Sequence, residues 1–173
     1  MAGTRNPEDA ITAIKAILEA DLPAKLNSID SEMSASGDEV LDDVAKWWLA
    51  PQERHQGQNI PAGTIVAVET VWQREFGEQE AVYEHEIGIE IILRGKGRTA
   101  SYAPDELLTV KSERTVRGII ETLEAKRQLT VSSTANAEYT AFLSAAYSEL
   151  FEADDKSSIE KRAELRFAVL VSA

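Results

Sequence analysis

The hydrophobic positions along the chain predict two main helices and four strands. In the first segment apolar residues recur every three or four positions, which places them on one helical face. Pro7, followed by Glu8 and Asp9, suits the first turn of this helix, and Pro23 predicts its end or a kink. The residues on this face are Ile11, Ile14, Leu18 and Leu22, with Leu26, Ile29 and Met33 beyond the kink.

The predicted N-terminal helical segment covers residues 7–49. Its last part contains Trp47 and Trp48 and is closed by Pro51. Neighbouring side chains on a helix point about 100° apart, so we expect one ring in the core and the other at the surface. Residues 52–59 are polar apart from one glycine, and we expect a loop there.

A β-hairpin is predicted over residues 64–93. Its second strand has a strict period of two, which is typical of a half-buried strand. Residues 74–81 contain one glycine and several charges and are expected to form the turn. One face of this second strand carries a histidine followed by four apolar residues: His85, Ile87, Ile89, Ile91 and Leu93.

A second helix is predicted over residues 104–127, opened by Pro104-Asp105-Glu106. Residues 139–154 fit a helix or a strand, whereas residues 160–171 clearly alternate as a strand. We prefer a C-terminal hairpin over residues 142–171. The order helix, hairpin, helix, hairpin predicts one α+β domain, with the two main helices packed on one face of an antiparallel sheet of about four strands.

The composition narrows the range of functions. The 173 residues carry 18 basic and 30 acidic side chains, a net charge of −12, and nucleic-acid binders usually show a basic footprint instead. The absence of cysteine excludes disulfides, thiolate metal sites and a cysteine nucleophile. No stretch has the length of a membrane span, and the N-terminus lacks a signal-peptide layout, so we expect a protein that does not enter a membrane.

The two histidines do not indicate a metal centre or an active site. His85 lies between Glu84 and Glu86, but consecutive residues of a strand point to opposite faces and cannot converge on an ion. His55 lies in a polar loop, where a solvated histidine is the simpler interpretation. We therefore expect no catalytic, cofactor-binding or metal-binding residues.

Five residues are candidates for intermolecular contacts. Tryptophan is enriched in cores and also at contact anchors, so Trp47 and Trp48 are included. Arg94, Lys96 and Arg98 form a basic, glycine-containing turn. Glycine lets backbone amides approach an anion, but this turn lacks the Walker pattern, and a solvated hairpin end is the simpler interpretation.

The layout resembles a family of tailed-phage proteins that includes tail terminators and tail-completion (neck) proteins. The stretch 21–24 (DLPA) resembles the end of that family's first helix, and 117–123 (RGIIETL) resembles its second. The resemblance to its strands is carried by 60–68 (IPAGTIVAV), 85–93 (HEIGIEIIL), 147–151 (YSELF) and 162–169 (RAELRFAV). These similarities span nearly the whole chain and consist of spacing and order, without a catalytic signature.

The resemblance implies a structural virion protein, assembled in the host cytoplasm, that forms a homohexameric ring. Such a ring ends the tail tube and joins it to the head-side connector, so the implied partners are other copies of the chain, the tail tube and the neck proteins. Genomic DNA would pass through an acidic lumen without specific binding, because such a lumen repels phosphate. The loops 52–59, 94–101 and 129–138 are candidates to become ordered only on assembly.

Two other classes of function remain open. The chain could be a monomeric protein-binding or adaptor module, which predicts no self-association at micromolar concentration. It could also be a small metal-dependent enzyme that uses His85 with nearby carboxylates, which predicts that metal is retained after dialysis.

Overall fold

Two helices lie on one face of a mostly antiparallel sheet in the computed structural model, which describes residues 7–49, 60–73, 82–95, 102–126, 128–132, 135–152 and 158–172. The predicted α+β class is confirmed. The helices are α1 (Pro7–Met33) and α2 (Pro104–Glu124). The strands are β1 (Lys46–Trp48), β2 (Ala62–Gln73), β3 (Val82–Gly95), β4 (Gln128–Ser132), β5 (Ala135–Tyr147), β6 (Phe151–Glu152) and β7 (Ile159–Ser172).

The strands are ordered β1-β2-β3-β7-β5-β4 across the sheet, and β6 pairs with β7 next to the end of β5. The four predicted strands correspond to β2, β3, β5 and β7, which are long and pair antiparallel in both predicted hairpins. Three further strands, β1, β4 and β6, have two to five residues each and are too short to show a period in the sequence. The described sheet is therefore wider than the predicted four strands.

The N-terminal part differs from the predicted helical segment 7–49. Helix α1 continues through Pro23 but ends at Met33, and residues 46–48 form a strand parallel to β2. Leu22 and Leu26 are buried on either side of Pro23, and this packing supports the helix where proline removes a backbone donor. Asp30 holds the returning chain, because its carboxylate accepts the Leu41 backbone N–H at 3.1 Å.

The region 129–138, predicted to be a loop, is a hairpin. Residues of β4 pair with the first residues of β5, from Gln128 opposite Glu138 to Ser132 opposite Ala135. The start of β5 also pairs with the end of β7, so long-range pairing selects a strand where the local sequence is neutral. Of the other predicted loops, 52–59 lies outside the described residues, and Arg94 and Gly95 of 94–101 belong to β3.

The core lies between the sheet and the two helices. The alternate residues of β3 and β7 that face the helices are fully or almost fully buried. The helices are antiparallel, since Asp21 pairs with Lys126 and Lys25 pairs with Glu121, each at 3.3 Å. They approach closely at Gly118, where an added Cβ would lie 2.7 Å from Leu26 Cδ2. The buried apolar residues of the two central strands that alternate toward the helices are Ile87, Ile89, Ile91, Leu93, Ala163, Leu165, Phe167 and Val169.

Candidate interaction surface

The exposed large hydrophobic side chains of the described residues fall into two groups along the chain. One group, the β1-side patch, lies at the end of α1, in the segment around β1 and on β2. The other, the β5-side patch, lies on β5 and on the chain that continues it into β6. The β1-side patch consists of Met33, Val40, Leu49 and Val68, and the β5-side patch consists of Leu143, Tyr147, Leu150 and Phe151.

The β5-side patch lies within one short stretch of the chain, residues 143–151. Leu143 is 50% exposed and occupies a β-bulge, and Phe151 is 46% exposed. Leu150 also borders a shallow groove formed with Tyr102 and Val110 beside α2. The pKa of Tyr147 is raised, because its phenol is partly desolvated and lies near the Glu113 carboxylate. Contiguous exposed apolar surface of this kind commonly marks a protein-binding site.

The edge of β5 is only partly covered. Strand β4 reaches no further along β5 than Glu138, and no other strand of the described residues pairs with that side. From Tyr139 to Ser148 no residue is charged, although 28% of the chain is. Proteins commonly protect open edges with charged side chains, proline or bulges, and β5 has only the two bulges in its pairing with β7.

The other edge of the sheet has a similar opening. Strand β1 pairs with only the first three residues of β2, Ala62–Thr64. On that side, the rest of β2 has no partner strand among the residues that the structure describes. Both edges of the sheet therefore offer backbone groups and apolar side chains together.

Trp47 and Trp48 point to opposite faces because they lie on a strand. Trp47 is 4% exposed and belongs to the core, where its ring fills the space beside Gly63. A Cβ at Gly63 would lie 2.2 Å from two ring atoms, so this position requires glycine as long as the ring stays in place. Trp48 is half-buried, and the Lys46 ammonium lies 3.7 Å from its ring centroid. Of the two rings, Trp48 is the one accessible at the β1 edge.

Arg94 lies at the end of β3 and forms an ion pair with Glu160 of β7. Both side chains are largely buried, so this arginine joins two central strands. Lys96 and Arg98 lie outside the described residues, as does His55. Of the predicted basic turn, the described residues therefore include only Arg94 and Gly95.

His85 is a buried residue on the helix-facing side of β3. It is 0% exposed, and its Nδ1 lies 2.9 Å from the Thr70 hydroxyl on β2. Burial lowers the pKa of His85, because the imidazolium would lose hydration. Glu84 and Glu86 alternate to the other face, as predicted. The described residues contain no cluster of three or more histidine or acidic side chains that could hold a metal ion.

The outer face of the central strands is mostly charged, with Ile92 and Ala168 as buried apolar exceptions. Arg166 of β7 contacts Glu86 of β3 at 3.4 Å and also pairs with Glu164 on its own strand. Gly88 lies between them, where its missing side chain leaves room for the neighbouring Val66 and Val68. None of the described helices is long and apolar enough to span a bilayer.

Sequence reasoning missed both edge patches. Alternation shows that a strand has an apolar face, but it does not show whether the strand lies at the centre or at the edge of a sheet. One signal was available: the uncharged run from Tyr139 to Ser148 is unusual in so charged a chain. The exposure of Leu49 was hidden because residues 40–49 were interpreted as a helix.

Comparisons with known proteins give little further information. No protein-family model matches the sequence, and no curated protein matches it. A chain of a solved structure described as "Virion of native gene transfer agent (GTA) particle" is similar, with 13% identity and a TM-score of 0.44. The match covers 84% of this chain and 92% of that chain. At this identity and TM-score, the likeness establishes neither a shared fold nor a shared function.

Proposed function

We propose that this chain is a structural virion protein of the phage head–tail neck. In this role it forms a ring that ends the tail tube and joins it to the head-side connector, and it acts by contact rather than by catalysis. The observation that carries the proposal is that both edges of one sheet are only partly covered, with the exposed side chain of Leu49 beside one edge and those of Leu143 and Tyr147 at the other. A chain with one contact surface on each side is suited to a closed assembly of identical subunits.

The resemblance noted in the sequence supports the same role. The quoted stretches fall on α1, β2, β3, α2, the β5–β6 edge and β7, in the order expected of tail-terminator and tail-completion proteins. The wide sheet with both helices on one face leaves the other face free to line a lumen or to meet a partner. The net charge of −12 suits a passage for DNA, because phosphate is repelled by an acidic wall.

The experiment that tests this function has two parts. Native mass spectrometry of the purified chain across concentration should show a discrete hexamer of the 19.0 kDa subunit. Sedimentation of isolated tail tubes with the chain should show saturable binding at the tube end, visible as a terminal ring by negative-stain electron microscopy. Failure of both would overturn the proposal.

A monomeric adaptor is the alternative role, and the β5-side patch is the observation that favours it, since one apolar surface is enough to bind one partner. This alternative predicts a monomer at every concentration, and no ring on tail tubes. Capture of a neck protein by the monomer, lost when Leu143 is replaced by lysine, would support it.

A further inference from the structure

We propose that copies of this chain associate head to tail through their sheet edges, with the β1 side of one copy placed beside the uncovered part of β5 in the next. This inference rests on the proposed function, because it identifies the surface through which the ring would close. The occupant of the β5-side patch is then a second copy of the chain.

The two edges have complementary outlines. Strand β1 covers only the start of β2, and β4 covers only the start of β5. Because β2 and β5 run in opposite directions, these two short strands project at opposite ends of the sheet. The part of β5 beyond Glu138, which β4 leaves uncovered, forms a recess. Ala62 pairs with Ile92 and Ile92 with Arg162, while the next residue, Ala163, pairs with Tyr147. These pairs put the projecting β1 level with the recess.

The strand directions suit this contact. Strand β1 is parallel to β2, and β2 is antiparallel to β5, so β1 of a copy in the same orientation meets β5 antiparallel. The Ser148 backbone N–H donates to the Arg162 carbonyl at 2.9 Å. Backbone groups of consecutive residues point to opposite sides of a strand, so those of Tyr147 point away from β7 and toward the recess.

The side chains at the two edges match in polarity. Leu49 at the end of β1 is 43% exposed. In the proposed contact it lies against the part of β5 of the next copy that carries the exposed Leu143 and Tyr147. Identical chains with a charge of −12 repel one another over most of their surfaces. The uncharged stretch from Tyr139 to Ser148 is a place where two copies can approach with little of this repulsion.

The contact is heterologous, because the β1-side and β5-side patches are different surfaces. Contacts of this kind generate a ring when the rotation between copies closes. Until closure, an open oligomer keeps one free edge of each type, one at either end. This geometry can be distinguished by experiment from a two-fold contact in which the same patch meets itself.

Cysteine cross-linking tests the arrangement directly, because the natural chain has no cysteine. Leu49→Cys and Leu143→Cys, alone and combined in the full chain, would be treated with a short bismaleimide. We expect the double variant, and an equal mixture of the two single variants, to give cross-linked dimers, with a ladder only for the double variant. Each single variant alone should remain uncross-linked. Dimers from either single variant alone would indicate a two-fold contact and overturn the proposal.

A charge introduced at the recess provides the second test. Leu143→Lys should weaken self-association by roughly tenfold to a hundredfold, because an apolar contact is replaced by a charge. Ala20→Lys is the matched control, since Ala20 is exposed on α1 away from both edges, and it should associate like the natural chain. Light scattering on a sizing column measures both.

The outcomes separate this inference from the function on which it rests. A hexamer that forms equally well with Leu143→Lys, and that gives no cross-link in the double variant, would overturn the edge contact and leave the ring in place. A chain that stays monomeric up to high micromolar concentration and forms no ring on tail tubes would overturn both. Rings on tail tubes that cross-link in the double variant, and in neither single variant alone, would support both.

Discussion

The two sides of strand β7 differ: β3 lies on one side, and β5, followed by the short β6, lies on the other. With β3 it forms fourteen consecutive pairs without a register shift, whereas its pairing with β5 is interrupted by two bulges. The residues of β3 and β7 that face the helices are buried, whereas Leu143 and Tyr147 on β5 are about half exposed. The comparison indicates that the fold depends on the centre of the sheet, and that β5 is free to serve contacts outside the chain.

The sharpest test of this comparison uses the same substitution at the two places. Leu165→Ala on β7 removes a fully buried side chain and should lower the free energy of unfolding by about 2–5 kcal/mol. Leu143→Ala on β5 should change it by no more than about 0.5 kcal/mol, because half of that side chain is already in water. Urea unfolding of both variants measures the difference, and equal losses would contradict the assignment of β5 as a peripheral strand.

Substitution of two glycines should give the opposite result, with a larger loss of stability at Gly63 near the edge than at Gly88 on the central strand β3. Gly63→Ala puts a methyl group against the Trp47 ring and should lower stability by about 1–3 kcal/mol, with a shift in tryptophan fluorescence as β1 moves. Gly88→Ala on β3 meets Val68 Cγ2 at 3.1 Å and should cost less. Unchanged fluorescence and stability in Gly63→Ala would show that the ring does not pack against Gly63.

His85 should make the stability of the central sheet dependent on pH. Its pKa in the folded chain lies below the unfolded value of 6.5, so the unfolded state binds the proton more readily. The contribution of neutral His85 to the free energy of unfolding is complete above pH 6.5. It is lost as the pH falls, by at most about 1.4 kcal/mol per pH unit. In His85→Gln, the drop in the urea midpoint between about pH 7.5 and about pH 5 should be smaller, because histidine is the side chain that titrates in this range. An identical drop in both proteins would contradict this contribution.

The smallest loss of stability is expected for a substitution of a charged residue on the outer face of the central strands. Arg166→Met removes the contacts with Glu86 and Glu164 and should lower stability by no more than about 1 kcal/mol, because partly exposed ion pairs contribute little. The difference from the natural chain should shrink further in high salt. A loss as large as that of Leu165→Ala would show that the ion pairs, rather than the apolar face, support the centre of the sheet.

The sequence predicts the centre of this molecule well and its edges poorly. In strands β3 and β7 apolar and polar residues alternate, because one face of each strand packs against the two helices. This burial requires apolar side chains at every second position, which is the pattern that the sequence shows. Strand β1 has only three residues, and its sequence contains no local pattern that distinguishes a short strand from the end of a helix. The hairpin at 129–138 depends on pairing with β7, which follows far along the chain.

The candidate site was predicted only in part. The buried, non-converging position of His85 followed from the period of the strand, and its environment agrees with that prediction. Trp47 and Trp48 were expected to divide between core and surface. Trp47 lies in the core and Trp48 is half-buried, and both lie on a strand rather than on the predicted helix. The edge patches were missed, because the order of strands in a sheet depends on long-range contacts that a local pattern does not contain.

The central position of β7 also sets the order of events when the chain is made. Residues 159–172 insert between β3 and β5, which are synthesised earlier and do not pair with each other. Until these residues leave the ribosome, the apolar side of β3 has a neighbour only in β2, and β5 has one only in β4. The nascent chain therefore contains two separate hairpins with exposed hydrophobic strands. Such a state is prone to aggregation and is a substrate for chaperones. Completion of the sheet waits for its middle strand, so premature termination before residue 159 should yield an insoluble product.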